Sequence, residues 1–511
     1  MRTLNSLKNA LGNFANSIVL NLLRFISRIV FVKTLDSVYL GINGLLSNVL
    51  GLLALAELGI GTAISYSLYK PLHEKNEEKC KSLMKFYRTA YRIIALVVLI
   101  LGLALLPFLP WFIKDTAGIQ NLSLIYLIFL GNMVISYLFS YKRTLITADQ
   151  KNYKITPYLI FYNFLTTVGQ IVILLIFKNY ILYLLVQTVC IILENLTVNN
   201  YINKKYSYLN DINNAKKIEK NELGEIKTNI KALMLHKVGS YVLSATDNIV
   251  ISKFIGIVTV GVYSNYVLIH SAISNFIYVF ISNTTASLGN LIAEGDKEKR
   301  YKVFEEMNFL AFSLYGVSAL CLLFVFNPFI ELIFGQKFLL PFIVVILIVL
   351  NYYLVGINQV PVIFQSAAGV YKYDRYVPLI EAFSNLIISV ILVHFIGLSG
   401  ILLGTFISYL LPLIIKPFVV FKHVLNKNTI EYFKSFAKQI IILLIAGLIL
   451  FGITNMFKDS SLIIQIVLNL LFSLIIPTII IIFVYRKDDS FISSKNRLGN
   501  IINKFRKRRE I

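Results

Sequence analysis

The sequence predicts an all-α polytopic membrane protein, and three observations predict it. First, 57% of the 511 residues are apolar and only 15% are charged, with a mean hydropathy of +0.73. A soluble protein carries about 25% charged residues. Second, apolar stretches of about 20 residues, each long enough to cross the hydrocarbon core as a helix, recur along the whole chain. Third, the chain repeats itself at an offset of 220 residues. Ile29-Val30-x-x-Lys33 matches Ile249-Val250-x-x-Lys253, and Val38 and Gly41 match Val258 and Gly261. Ser67-Leu68 matches Ser287-Leu288, and Glu74, Glu78 and Lys79 match Glu294, Glu298 and Lys299 without a gap. Ala148 and Tyr153 match Ala368 and Tyr373, and Pro157 matches Pro378 after a one-residue slip.

Fourteen transmembrane helices are expected, near 10–33, 40–69, 86–109, 119–141, 155–177, 180–203, 229–254, 258–290, 304–327, 338–366, 376–397, 399–424, 433–456 and 461–485. The repeat groups them into an N-terminal six-helix lobe over 1–215, a second six-helix lobe over 216–430, two additional helices over 431–486 and a basic tail over 487–511. Parallel repeats of this kind are one way transporters are built, with the substrate site near the bilayer midplane at the repeat interface.

Lys and Arg cluster in alternate loops: 70–92, 142–154, 204–231, 297–302, 372–375, 416–427 and the tail 486–509. The intervening loops are short and nearly neutral. The positive-inside rule therefore places both termini in the cytoplasm, and an even helix count agrees. The net charge of +23 follows from this topology. A nucleic-acid-binding protein would instead show a basic patch on a soluble fold. The tail Lys504-Phe505-Arg506-Lys507-Arg508-Arg509 serves as a topology anchor or touches anionic lipid.

Other classes are disfavoured. Arg24 and Arg28 interrupt the first apolar run and no small-residue cleavage site follows it, so a cleaved signal is not expected. Cys80, Cys190 and Cys321 are too few and too scattered for a disulfide framework or a metal site. The Asn- and Lys-rich segment 204–228 reads as a solvated linker. No large loop offers room for a soluble catalytic domain, and no Gly-rich Walker-type phosphate loop occurs. No enzyme activity and no cofactor are expected.

Function is then sought in polar residues within the membrane. A charged side chain at a helix centre costs about 2.5–3.5 kcal/mol on insertion scales, so it faces protein or water. Arg24 and Arg28 stand one turn apart on one face of the first helix. Paired guanidinium forks suit a diphosphate. Alternatively, Arg28 snorkels outward and Arg24 pairs with a carboxylate. Their repeat counterparts are Ser244 and Asn248, with Asp247 beside them. Asp247 is a coupling-ion ligand or the partner of an arginine. Glu57, near mid-depth in the second helix, either pairs with an arginine or carries a proton. His236 and Lys237 lie near the inner end of the seventh helix. Glu194 and Glu381 are expected near the inner surface as solvated or helix-packing groups.

The eighth helix is unusually polar, and its His270, Ser271 and Asn275 are candidates for lining a hydrated cavity and contacting sugars. The tenth repeats the theme with Asn351, Asn358, Gln359 and Gln365. Amides and tyrosines suit sugar hydroxyls and ring faces, although such groups also bond helices together.

The stretch Tyr39-Leu-Gly41-Ile-Asn-Gly44, running into Ala56-Glu57-Leu58-Gly59-Ile60-Gly61-Thr62-Ala63-Ile64, resembles the second-helix signature of the Wzx-type polysaccharide flippases. These belong to the multidrug/oligosaccharidyl-lipid/polysaccharide exporter superfamily. The arginine-bearing first helix, the repeat and the two extra C-terminal helices are also similar to that family, so the resemblance covers the whole chain. It implies a flippase for undecaprenyl-diphosphate-linked oligosaccharide units of a capsule or exopolysaccharide. The implied location is the bacterial plasma membrane, as a multi-pass protein working by alternating access. The implied partners are the polyprenyl-diphosphate-linked oligosaccharide, the bilayer, and the polymerase and glycosyltransferases of the same pathway. The family's diphosphate-holding cations map onto Arg24 and Arg28. Lipid II flippases of the superfamily carry a further basic residue in the seventh helix, where this chain offers Ser244, Asp247 and Asn248. The alternatives are a multidrug or cation antiporter of the superfamily, which would want a carboxylate-dominated cavity, and a membrane polysaccharide polymerase, which would want a catalytic loop.

Overall fold

The computed structural model describes residues 19–57, 60–114, 119–216, 218, 223–224, 226, 246–282 and 285–495. The described part is built of helices, and the helix ends show why. Helix α1 covers 19–34. Asp36 then caps α2 (Ser37–Leu53) by accepting from Val38 N, which occupies one of the unpaired amides of a helix start. Next come a short 3₁₀ turn (Ala54–Glu57), α3 (Ile60–His73), α4 (Glu77–Leu105), α5 (Leu122–Ala148), α6 (Thr156–Phe177) and α7 (Tyr180–Lys205). Helix α8 covers 246–250 and runs into a π-turn, Ile251–Ile255. The remainder is α9 (Ile257–Ser282), α10 (Thr285–Glu294), α11 (Lys297–Phe334), α12 (Phe342–Ile357), α13 (Gln359–Ala368), α14 (Val377–Val420), α15 (Thr429–Asn455) and α16 (Leu462–Tyr485). Among the described residues ten helices are long and apolar enough to cross a membrane. The expected spans 10–33 and 229–254 lie partly outside the described residues, as do His236, Lys237 and Ser244.

The 220-residue register reappears in the helix starts. Ser37 and Ile257 open α2 and α9, Glu77 and Lys297 open α4 and α11, and Leu122 and Phe342 open α5 and α12. The caps repeat as well. Asn76 Oδ1 accepts from Lys79 N at 2.9 Å and Asp296 Oδ1 accepts from Lys299 N at 3.0 Å.

Two expected single spans are broken among the described residues. The span 40–69 divides into α2 and α3 with a 3₁₀ turn after α2, and 338–366 into α12 and α13. Pro361 opens the first turn of α13, where its missing N–H costs nothing; deeper in a helix it would remove a bond and clash. In α14, Ile396 and Gly397 leave helical geometry, and Gly397 sits at φ +56. The chain folds back there, as a left-handed φ suits glycine. Asn385 donates to Thr405 Oγ1 at 2.9 Å and Ser389 to the Ile401 carbonyl at 3.0 Å across the two legs. These are the expected eleventh and twelfth helices, joined by a two-residue turn.

By contacts the chain divides into two compact units at Ser264/Asn265, within α9. In the first unit the start of α9 lies on α2. A Cβ added at Gly41 would fall 1.9 Å from the Ile257 carbonyl oxygen, and one at Gly261 would fall 2.5 Å from that of Ser37. Gly41 and Gly261 are repeat counterparts, and so are Ser37 and Ile257, so the two contacts exchange under the 220-residue offset. The linker also differs from expectation. A 3₁₀ segment, Ser207–Asn214, docks on α4 instead of being solvated, because Leu209 and Ile212 are buried. Lys85 Nζ donates to the carbonyls of Asn213 and Ala215, and Arg88 to Asn213 Oδ1.

In the second unit α11 is the long central helix. The pair α15–α16 packs on it through Leu320, Phe324, Ala446 and Leu450, and Asn469 Nδ2 donates to the Phe324 carbonyl at 3.0 Å. A polar bond of this sort averages about 0.6 kcal/mol in a membrane bundle, so the apolar cluster does most of the holding.

Candidate functional site

In the first unit the site is built on α1, α7 and the start of α9. Arg28 is half-buried, and its Nη1 donates to Ser264 Oγ at 2.9 Å. Ser264 in turn donates to the Gly261 carbonyl at 2.7 Å. Tyr180 and Tyr183, one turn apart at the start of α7, are the guanidinium's electrostatic neighbours. Phe31 packs edge-on against both rings, at 5.7 and 5.2 Å between centroids, and Tyr39 lies 4.9 Å from Tyr180. Arg28 thus has the two tyrosines at the start of α7 as neighbours. The Tyr180 hydroxyl is buried without a partner.

Arg24, one turn earlier, is exposed. Among the described residues no carboxylate lies within ion-pair distance of Arg24 or Arg28. The expectation that Arg24 pairs with a carboxylate therefore finds no partner among them. Asp247 and Asn248 sit half-buried in α8, and Asn248 Oδ1 is buried with no hydrogen-bond partner.

Glu57 pairs with tyrosine rather than arginine. It closes the 3₁₀ turn between α2 and α3 and accepts from the Tyr91 hydroxyl. The Tyr87 hydroxyl donates to Tyr91 at 3.1 Å and lies 2.9 Å from Thr144 Oγ1. The result is a continuous row of hydroxyls from Glu57 to α5. Gly61 allows this approach: a Cβ there would lie 3.1 to 3.2 Å from the Tyr87 hydroxyl, Glu57 Oε1 and the Tyr91 hydroxyl.

In the second unit the expected sugar-contacting residues are spread over several environments. His270 is edge-on to Tyr352 at 6.0 Å. Ser271 is half-buried and Asn275 is exposed. Asn351 is buried, and its Nδ2 donates to the Leu402 carbonyl at 3.0 Å, so it ties α12 to α14. Asn358 and Gln359 lie at the α12–α13 break. Gln365 is 1% exposed, and its Nε2 has no hydrogen-bond partner. An apolar groove of about 910 Å³ runs between α9, α11 and α16, from Ile273 and Leu314 to Ser494 and Lys495.

Sequence reading missed several of these groups. Tyr180 and Tyr183 were not among the candidates, although their three-residue spacing on one helix face was a visible signal. Tyr87 and Tyr91 are spaced four apart in the same way. Glu194 is ion-paired with Arg143 at 2.6 Å. Glu381 is buried rather than solvated, and the nearby Lys416 is 3.4 Å from the buried Asp374.

No family model and no curated protein matches the sequence. Solved structures do match. The lipid II flippase MurJ, in an inward closed conformation, superposes with a TM-score of 0.65 over 92% of this chain and 99% of its own, at 15% identity. The fold is similar to that of this flippase and of the multidrug transporters that follow. An inward-facing multidrug-resistance transporter of the MATE family gives 0.59 over 80% of this chain and 96% of its own, at 15% identity. The Vibrio cholerae MATE transporter VcmN gives 0.55 over 84% and 99%, also at 15%. Together with the long apolar helices, this makes the protein a multi-pass membrane protein whose structural neighbours are transporters and flippases.

Proposed function

We propose that the protein is a flippase for polyprenyl-diphosphate-linked oligosaccharides, undecaprenyl-diphosphate units among them, in the bacterial plasma membrane, serving capsule or exopolysaccharide synthesis. Both termini face the cytoplasm, and the protein works by alternating access. The observation that carries this reading is the guanidinium pair on α1. Two cations within an apolar helix would together cost about 5–7 kcal/mol against lipid, and no carboxylate neutralises them among the described residues. An anionic ligand with several oxygens fits that charge. The likeness to MurJ supports a lipid-linked cargo. In this reading Arg24 and Arg28 hold the diphosphate.

The experiment is translocation of a lipid-linked oligosaccharide in proteoliposomes. The wild-type protein moves it, and Arg24→Ala does not, at equal reconstitution. A second reading, a cation-drug antiporter, has the likeness to the MATE transporters in its favour. Efflux of a cationic dye by the wild-type protein, with no lipid-linked cargo moved, would replace the first reading by the second.

A further inference from the structure

A second polar cavity lies in the second unit, away from the residues assigned above. It has a volume of about 60 Å³ and sits where the N-terminal part of α11 meets the start of α15 and the end of α16. That is room for one ion and one or two waters.

Its floor is made of amides. Asn308 is 5% exposed and Gln439 is 1% exposed, and Asn308 Oδ1 and Gln439 Oε1 have no hydrogen-bond partner. Both residues line the cavity. A buried acceptor left bare costs about 1–3 kcal/mol, so these two oxygens call for a donor or a cation.

Its mouth is made of carboxylates. The Tyr301 hydroxyl donates to Glu431 Oε2 at 2.7 Å and also lies beside Glu305. A phenol has one proton, so it serves only one of the two carboxylates. The acidic neighbours of Glu305 are Asp488, Glu431 and Asp489, and Lys427 is a basic one. Two lysines reach the mouth without neutralising its four carboxylates: Lys427 Nζ is 2.9 Å from Glu298, outside the lining, and Lys438 Nζ is 3.7 Å from Asp488 while lying over the Tyr485 ring at 3.9 Å. Negative charge is left in excess at the mouth.

We propose that this cavity binds an alkali-metal cation, sodium or potassium, through Glu305, Glu431 and the amide oxygens of Asn308 and Gln439. The donors are all hard oxygens, which suit alkali and alkaline-earth ions and disfavour thiolate- or imidazole-seeking metals. Among the described residues no three acidic, histidine or cysteine side chains gather closely enough to grip a metal as a chelating cluster. Neutral amide oxygens with a carboxylate or two suit a weakly held monovalent ion. The bound cation joins α11 to α15 and α16 at one end of the second unit. A cation that binds the folded state alone stabilises it in proportion to the logarithm of its concentration.

The test is thermal unfolding of the full-length protein in detergent, at constant ionic strength, in choline, sodium and potassium chlorides. The expected result is a rise of about 2 °C or more in sodium or potassium over choline, saturating with concentration. Glu305→Gln, which keeps the side chain's shape, should remove that rise. Asn308→Leu should do the same from the floor of the cavity. Equal melting temperatures in all three salts would overturn the proposal, and so would an undiminished alkali effect in Glu305→Gln. The test uses no lipid-linked cargo, so its outcome is independent of the flippase reading.

Discussion

At the scale of single residues, the two arginines of α1 are not equivalent. Arg28 is held by Ser264, with Tyr180 and Tyr183 as neighbours, whereas Arg24 is exposed and has no ion-pair partner among the described residues. A hydrogen bond to a charged group is worth about 1.5–3 kcal/mol, or roughly 10- to 150-fold in affinity. Arg24→Lys should therefore lower apparent cargo affinity by about tenfold or more, since a point charge replaces a two-pronged fork, while leaving melting temperature unchanged. Arg28→Ala should lower both, because it also unties α1 from α9; cargo titrations and melting curves on the same preparations separate the two effects. Glu57 gives a further contrast. Tyr91→Phe removes the donor from a half-buried carboxylate and should destabilise the protein by about 1–3 kcal/mol. The same change in the Glu57→Gln background should cost much less, because an uncharged amide has less to lose. Equal costs in the two backgrounds would rule out the Glu57–Tyr91 bond as the source.

At the scale of helices, the crossing of α2 and α9 depends on glycine. A Cβ at position 41 would lie 1.9 Å from a backbone oxygen, which no side-chain rotation relieves, whereas one at position 44 meets Val260 Cγ1 at 3.2 Å. Overpacking costs about 1–3 kcal/mol where the surroundings yield. Gly41→Ala should exceed that range or abolish stable expression, and Gly44→Ala should fall at or below its lower end. Comparable expression and melting temperature for the two variants would show that α2 and α9 can move apart freely. The helix breaks work in the same local way. Each one exposes backbone groups that must be paired within the protein, and the 3₁₀ turn before α3 puts its polar group, Glu57, next to a tyrosine.

At the scale of the whole molecule, the proposed orientation and cargo make export electrogenic. An anionic diphosphate leaving a negative interior gains about 2.3 kcal/mol per charge for each 100 mV. Proteoliposomes with an imposed potential and no ion gradient should show cargo movement that reverses when the potential is reversed. A rate indifferent to the potential but responsive to a proton or sodium gradient would transfer the driving role to the carboxylates, Glu57 and Asp247 first.

The sequence by itself determined the class, the positions of most helices and the register of the repeat, because these depend on local quantities. Apolar run length gives a span, and a capping residue such as Asn76 or Asp296 gives its start. Gly41 and Gly261 match in the sequence repeat. Only the tertiary structure decided what the polar residues do. Glu57 found a tyrosine rather than an arginine, Asn351 tied two helices together, and Leu209 and Ile212 drew a linker down onto α4. The physical reason is that a polar side chain in an apolar setting takes its role from the groups that pair with it. Those groups lie on other helices, at separations that no sequence period encodes. Arg28 on α1, its tyrosine neighbours on α7 and Ser264 on α9 come together only once those helices are packed.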